Sequence, residues 1–171
     1  MALPSPTAAP QILKGQTRRG VGKWIWFPTV ASWPAPTTAE MSAGTDYTLQ
    51  IASLDGFAPD SSTVDFGNAG SVIIPTIPGT TSLGSGTIGF NLSKDPAVSD
   101  ARSVFTDTLS GSAAAGYWAD CPNGLVTSGK MKLYAATVQS AATSTGLDDV
   151  LTLQVVFALS AVSGFIAIPT A

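Results

Sequence analysis

The side chains that most often perform acid–base, nucleophilic or metal chemistry are nearly absent from this sequence. Its 171 residues include no histidine, so the commonest general base and metal ligand is missing. A Ser-His-Asp or Cys-His catalytic site therefore cannot be assembled within the chain. A zinc site would depend on the single Cys121 and carboxylates, which is not a credible donor set. The lone cysteine also cannot form an intramolecular disulfide, which agrees with a reducing compartment.

Carboxylates are the remaining candidates for chemistry. A paired-carboxylate site of the glycosidase kind could draw on only two groups of residues. Asp148 and Asp149 are adjacent in a predicted hairpin loop, where we interpret them as solvated turn residues. Asp55, Asp60 and Asp65 lack the alternating oxygen ligands and the closing glutamate of a calcium loop. The sequence therefore predicts no metal site.

Two glycine-rich segments have a superficial likeness to phosphate-binding loops. They are Gly84–Gly86 and Gly20–Lys23. In the second, the lysine leads into a predicted strand, whereas the lysine of a P-loop stands beside Ser or Thr at the start of a helix. Because the sequence has neither a catalytic constellation nor a cofactor motif, we predict that the protein is not an enzyme and binds no cofactor.

The composition indicates a chain with more apolar surface than a soluble monomer can leave exposed to water. Only 11% of the residues are charged, against about 25% in ordinary soluble domains, and the mean hydropathy is positive at +0.29. Such a chain either enters a membrane or buries apolar surface against other subunits, since large exposed apolar patches are rare on soluble monomers. The length fits one domain with one hydrophobic core.

The longest apolar stretch, residues 151–168, distinguishes these two cases. Its apolar Leu153, Val155 and Phe157 alternate with other residues at the period of a β-strand. The stretch contains several polar residues and ends at Pro169, which disfavours the alternative of a tail-anchored helix. The first residues have neither a basic flank nor a continuous apolar core, so we expect no secretory signal. We therefore predict no membrane segment and synthesis in the cytoplasm.

Charge is distributed unevenly along the chain. Residues 1–22, hereafter the basic arm, are predicted to be extended and contain Lys14, Arg18 and Arg19 but no acidic residue. From Trp24 onward, eleven acidic residues oppose four basic ones, which gives a formal charge of −7. An acidic body repels the phosphate backbone of DNA, so docking of the basic arm on an acidic neighbour is favoured over DNA binding.

Residues 23–171 are predicted to form a single β-rich domain. Its first strand has Trp24 and Trp26 on one face and Ile25 and Phe27 on the other. A strand that is apolar on both faces needs cover on both, and we expect a neighbouring chain to provide the second cover.

Periodicity and turn residues predict the other elements. A capping box at Thr37–Glu40 predicts one helical turn, and the main helix is predicted over about residues 99–110, with Ser99 as its cap. The last two long strands are predicted to form a hairpin whose loop covers residues 141–149. These two strands are Lys130–Val138 and a run from Val150. Further strands are predicted at Tyr47–Ala52, Thr63–Phe66, Thr87–Ser93, Gly116–Ala119 and Phe165–Ile168.

A long segment, about residues 67–86, is predicted to be an irregular loop. It is rich in Gly, Ser, Thr and Pro but also contains apolar side chains. About twenty irregular residues with apolar side chains usually bury them against something, and here we expect a neighbouring subunit. The predicted inter-subunit contacts are Lys14, Arg18, Arg19, Trp24, Trp26, Val72, Ile73, Ile74, Ile77 and Leu83.

A series of short motifs occurs in a fixed order along the domain. In chain order they are Lys23–Ala31, Pro36–Asp46, Gly56-Phe57, Val64-Asp65, Ile77–Thr81, a helix with Arg102-Ser103, Gly116–Trp118 and Ile168-Pro169. Together they resemble the major tail tube proteins of siphophages that infect actinobacteria. The order of the motifs carries the resemblance, because each is short, and Ala136–Leu147 departs from the family's pattern.

The resemblance implies a β-sandwich or barrel-like tail tube fold and a structural role in the virion tail. It implies hexameric rings whose sheets form a continuous inner barrel, and rings that stack into a tube. The implied partners are other copies of the chain and the tape measure, tail terminator and distal tail proteins. Genomic double-stranded DNA would pass through the lumen without sequence-specific binding, and an acidic lumen would let it slide. A capsid decoration or head–tail joining protein of the same kind of phage is the alternative.

Overall fold

The chain is mainly β, as predicted. A computed structural model describes residues 21–65, 76–93, 101–105, 114–126, 129–144 and 151–169. Two short helices, α1 (Thr38–Ala43) and α2 (Arg102–Phe105), lie within these ranges. The strands are β1 (Lys23–Phe27), β2 (Thr45–Asp46), β3 (Ile51–Asp55), β4 (Asp60–Asp65), β5 (Thr76–Ser82), β6 (Ser85–Asn91), β7 (Ala115–Cys121), β8 (Lys130–Thr143), β9 (Thr152–Val162) and β10 (Ile166–Ala167).

Eight of these strands form one antiparallel sheet that curls into a half-barrel. Its order is β2–β1–β7–β8–β9–β6–β3, and β10 adds to β8. Strands β4 and β5 pair only with each other among the described residues and form a separate hairpin. Because β1 pairs with β7 and β6 pairs with β9, the sheet brings together side chains from both halves of the chain.

One face of the curled sheet carries an aromatic core. Its centre is Trp118, which is fully buried. The Trp118 ring centroid lies between 5.1 and 6.2 Å from six other aromatic rings, a spacing at which edge-to-face and offset contacts are favourable. The six rings belong to Trp24, Trp26, Tyr47, Phe90, Phe105 and Phe157.

The predicted capping box of the first helix is confirmed. The Thr37 side chain accepts a hydrogen bond from the Glu40 amide, and the Glu40 carboxylate accepts one from the Thr37 amide at 2.7 Å. The same carboxylate accepts from the Ala31 amide at 2.6 Å, and these two backbone hydrogen bonds lower the pKa of Glu40. Helix α1 thereby ties the end of β1 to the start of β2.

The apolar stretch near the end of the chain is a strand, as its alternation predicts. In β9 the buried residues are Leu153, Val155, Phe157 and Leu159. No helix in the described ranges is long and apolar enough to cross a membrane.

Strand β8 is longer than predicted and continues to Thr143. Register shifts at Ala135/Ala136 and Val138/Ser140 let its Ala-, Ser- and Thr-rich end remain paired with β9. The loop predicted from residue 141 therefore begins later, and residues 145–150, with Asp148 and Asp149, lie outside the described residues.

The strand predicted for Tyr47–Ala52 is wrong at its start. The amides of Gln50 and Ile51 both donate to the Tyr47 carbonyl, at 2.9 and 3.2 Å, so residues 48–50 turn and β3 begins at Ile51. The Asp46 carboxylate also accepts from the Thr48 amide at 2.9 Å. Local hydrogen bonds of this kind outcompete the alternating pattern.

The irregular loop predicted for residues 67–86 is wrong in its second half. Residues 76–82 form β5, and β6 begins at Ser85. Pairing with β4 places Gly79 and Pro78 in a strand despite their low β propensity, and the pair contains a register irregularity at Ser61/Thr63. Residues 66–75, and the helix predicted beyond Phe105, lie outside the described residues.

Candidate assembly surfaces

The structure places the two tryptophans predicted at a subunit interface inside the subunit instead. Trp24 is 7% exposed and Trp26 is 4% exposed, and both pack in the aromatic core. The other face of β1, with Ile25 and Phe27, is covered by α1 and β10 of the same chain. The cover expected from a neighbour is therefore provided by this chain, because the curl of the sheet closes over one face and α1 folds back over the other.

The hairpin of β4 and β5, hereafter the exposed hairpin, is the most conspicuous unpartnered element. All six residues of β4 are exposed. Val64 and Ile77 face each other in register, and each is about half exposed, at 50% and 49%. A two-stranded hairpin without a covered face is marginally stable alone in water, so this element needs a partner surface.

Two predicted contact residues belong to this region. Ile77 lies on the exposed hairpin, whereas Leu83 follows it, is partly buried and packs against the aromatic core. The structure thus places only Ile77 of these two on an open surface. The remaining predicted contacts, Lys14, Arg18, Arg19, Val72, Ile73 and Ile74, lie outside the described residues.

The sheet has a second open surface, hereafter the open sheet face, on β6, β9 and the second half of β8. Buried residues in β9 alternate with Gln154, Val156, Ala158 and Ser160, which are exposed or partly exposed. None of the residues of these three strands on this face is charged, and the row through Thr87 continues to Asp55 at the end of β3. The register forms three rows, Thr87–Val156–Ser140, Ser85–Ala158–Thr137 and Gly89–Gln154–Ala142.

The ends of the sheet are a third kind of surface. Strand β3 pairs with β6 on one side and β2 pairs with β1 on one side, so each has an outer edge without a strand partner among the described residues. Four of the five residues of β3 are exposed. Unpaired edges are templates for pairing with another chain.

Sequence reasoning missed two exposed apolar residues. Leu49 is 94% exposed in the turn before β3, and Phe165 is 58% exposed between β9 and β10. Both lie in apolar patterns that predict a strand, so the sequence carries no sign of their exposure. Only the local turns decide it.

The described ranges contain no group of three or more His, Cys, Asp or Glu side chains that could hold a metal ion. Burial raises the pKa of the Cys121 thiol to about 12, with further contributions from the charges of Asp120 and Asp46. A thiol that stays protonated at neutral pH is a poor nucleophile.

The chain is similar to known proteins in both sequence and fold. A family model described as phage tail tube protein matches residues 9–165. A chain in the six-fold symmetrised cryo-EM structure of the anti-feeding prophage baseplate is similar, with a TM-score of 0.55 and 11% sequence identity, over 95% of this chain and 99% of that chain.

The SPP1 tail tube, solved by solid-state NMR and cryo-EM, has a TM-score of 0.53 and 10% sequence identity, over 83% of this chain and 74% of that chain. At such low identity these two structures show a shared fold. No curated protein sequence matches the chain.

Proposed function

The chain belongs to the phage tail tube protein family, and from this premise we propose that its copies form hexameric rings that stack into the tail tube of a siphophage. Family membership confirms the resemblance to phage tail tube proteins, although not to those of actinobacteriophages in particular, and supports a structural role. Six-fold rings are supported by the similarity to a chain of a six-fold symmetrised baseplate. The siphophage assignment is supported by the fold shared with the SPP1 tail tube.

The exposure of apolar side chains on the exposed hairpin is the observation that best supports self-assembly. Its apolar pair, Val64 and Ile77, is half exposed although the two strands pair with each other on both sides of a register irregularity. We infer that a second subunit covers it, since the hairpin has no cover from its own chain among the described residues. A hairpin that binds a different surface of the neighbouring subunit makes a heterologous contact, which builds rings or filaments instead of closed dimers.

The open edges of β2 and β3 supply the second contact. Pairing these edges between adjacent subunits would extend the half-barrel sheet around the ring and leave no free edge. The ring would then have one continuous inner wall. The rows through Thr87, Gln154 and Ala158 are the sheet surface best suited to that wall, because their residues on β6, β9 and β8 carry no charge.

We propose that double-stranded DNA passes along this face without sequence-specific binding. Non-specific affinity for DNA comes mainly from lysine and arginine contacts with phosphates. The open sheet face has hydroxyl, amide and small apolar side chains and no cation. The proposed wall on these three strands is therefore uncharged, which differs from the acidic lumen expected from the sequence, and the net negative charge of the body discourages binding elsewhere.

Electron microscopy of the purified full chain tests the proposal. We expect stacked rings or tubes in negative stain, and cryo-EM averages with six-fold symmetry. A chain that stays monomeric at high concentration would contradict self-assembly. Closed oligomers that do not stack would favour the alternative, a capsid decoration or head–tail joining protein.

The remaining partners follow from a tube of this kind. We propose contacts with tape measure, tail terminator and distal tail proteins, synthesis in the host cytoplasm and a final location in the virion tail. Affinity purification of the virion tail with mass spectrometry tests these associations.

A further inference from the structure

A groove of about 560 Å³ lies between the start of β1 and β3, the last strand at the other end of the sheet. Its apolar lining includes Trp24, Leu49, Ile51 and Leu54, and we call it the edge groove. Strands β1 and β3 are far apart in the order of the sheet, so the groove marks the place where the two ends of the curled sheet approach each other.

The turn before β3 holds Leu49 on the rim of this groove. The Ile51 amide donates to the Tyr47 carbonyl at 3.2 Å. The Trp24 amide donates to the Thr48 hydroxyl at 2.8 Å, which ties the turn to β1. Leu49 is nevertheless 94% exposed. A partner that covers Leu49 meets a backbone that is already ordered, which lowers the entropic cost of binding.

Leu54 adds a second open apolar side chain to the groove. It pairs in register with Ile88, which is fully buried, so Leu54 lies on the core side of the sheet. Leu54 remains 39% exposed because β3 is the last strand at its end of the sheet. The edge groove is therefore a part of the core side that the described subunit leaves open.

The exposed hairpin of the same chain does not fill this groove. Residues 56–59 alone join β3 to β4, so the hairpin and the groove are neighbours along the chain. Val64 and Ile77 are nevertheless about half exposed in the same subunit in which Leu49 is almost fully exposed. Each subunit thus presents two apolar surfaces that do not cover each other.

The exposed hairpin is the described element best suited to enter the edge groove of another copy. Val64 and Ile77 are paired in register, so one ordered backbone carries two branched apolar side chains. The other exposed large apolar side chains outside the groove belong to no strand or helix. They are Val21, Trp33, Leu125, Val126, Leu151 and Phe165.

Charge favours the same pairing. Lys23 is the charged residue that lines the edge groove, whereas the described charges of the exposed hairpin are Asp60 and Asp65. The Lys23 ammonium pairs with Asp46 at 2.6 Å, and its three N–H donors leave capacity for a second carboxylate. Opposite charges steer two surfaces together and fix their relative orientation.

We propose that the edge groove receives the exposed hairpin of a second copy of the chain, with Val64 and Ile77 packed against Leu49 and Leu54. The inference rests on the proposed function and names the surface that covers the hairpin. The contact joins two different surfaces, so it repeats from copy to copy without closing into a dimer. It uses side chains on the core side of β3 and leaves the backbone edge of β3 free to pair.

Disulfide trapping tests the contact. Full-length Ile77→Cys and Leu49→Cys chains are mixed, assembled and oxidised, and covalent dimers are resolved on a non-reducing gel. We expect a dimer from the mixture and almost none from either variant alone, because a disulfide requires Cβ atoms within about 4.5 Å of each other. The native Cys121 is buried and its thiol stays protonated, so it does not compete.

The matched control mixes Ile77→Cys with Leu125→Cys, because Leu125 is 52% exposed but does not line the edge groove. We expect no covalent dimer from this mixture. A dimer here instead of with Leu49→Cys, or tubes without a disulfide between positions 49 and 77, would overturn the proposal.

Truncation of Leu49 gives a second measurement that needs no cysteine variant. We expect Leu49→Ala to keep its unfolding midpoint and to assemble only at about tenfold higher concentration, as for an anchor residue of an interface. Leu125→Ala is the control and should assemble at the original concentration. Equal assembly concentrations for the two variants would overturn the edge groove as the acceptor.

The two levels of inference fail in different ways. Wild-type chains that never assemble would contradict the tube itself. Wild-type tubes together with equal assembly concentrations for Leu49→Ala and Leu125→Ala would remove the edge groove from the interface and leave the tube standing.

Discussion

At the scale of single residues, the subunit is organised around aromatic rings. Trp118 sits among six of them, and Phe105, the described end of α2, packs against the rings of Trp118 and Phe157. A short helix contributes one large side chain to a core built from distant strands. The stability of the subunit should therefore depend strongly on that side chain.

We expect Phe105→Ala to destabilise the subunit by about 3–5 kcal/mol, because it removes a fully buried ring and leaves a cavity. Urea unfolding followed by tryptophan fluorescence measures the change. Leu49→Ala is the matched control, since Leu49 is 94% exposed and should change stability by less than about 0.5 kcal/mol. Equal effects of the two variants would contradict the packing described.

Cys121 links stability to alkaline pH. The thiol has an ordinary pKa of 9.0 in the unfolded chain, whereas burial raises its pKa to about 12 in the folded chain. Between these pH values the unfolded state loses a proton that the folded state retains, so the free energy of unfolding falls as pH rises above 9.0.

Denaturant unfolding at increasing pH above 9.0 measures this loss, and Cys121→Ala should reduce its slope. Parallel pH profiles for the two proteins would show that the thiol does not contribute. The native thiol should also resist labelling by thiol reagents until the chain unfolds.

At the scale of elements, two kinds of strand are present. Strands β1, β7, β8 and β9 have buried faces and hold the fold, whereas β4 has no buried residue and Ile77 of β5 is half exposed. An element that adds little buried area to its own chain contributes little to subunit stability. Its apolar residues can therefore be changed without unfolding the subunit.

For the double variant Val64→Ser with Ile77→Ser, we expect loss of tube formation and an unfolding free energy within about 0.5 kcal/mol of the original. Sedimentation measures assembly, and denaturant unfolding of the dissociated chain measures stability. Ser61→Ala, also on exposed β4, is the control and should assemble normally. Normal tubes from the double variant would rule out the exposed hairpin as an assembly element.

At the scale of the whole molecule, the curled sheet separates two surfaces of different chemistry. One holds the aromatic core, and the other presents uncharged rows across three strands. In a ring, every subunit repeats these rows, so a single substitution is multiplied around the ring and along the tube. The transport of DNA should respond strongly to charge at this face.

We expect phages that carry Gln154→Lys to assemble tails but to release DNA more slowly, because repeated ammonium groups attract the phosphates of the passing duplex. Gln154→Glu changes the same position with the opposite charge and should leave release close to normal. The rate of DNA release in vitro, measured with a fluorescent dye, compares the two. Equal rates for both variants would place Gln154 away from the lumen.

Long, one-sided patterns were predictable from the sequence. The alternation in β9, the aromatic β1 and the Thr37 capping box are all found where the residues predict them. Each depends on residues close together in the chain, which is why sequence patterns suffice. The predictions failed at Tyr47–Ala52 and in the second half of the long loop, where local hydrogen bonds and strand pairing override propensity.

The sequence alone determined that this chain lacks histidine, carries few charges and builds strands with apolar faces, because composition and short-range periodicity decide those properties. Tertiary structure alone decided which surfaces stay open. It buried Trp24 and Trp26, exposed Leu49 and Phe165, and brought Asp55 to the same cleft as Tyr134. Those outcomes depend on which distant strands pair and how far the sheet curls, and neither is encoded in any single segment.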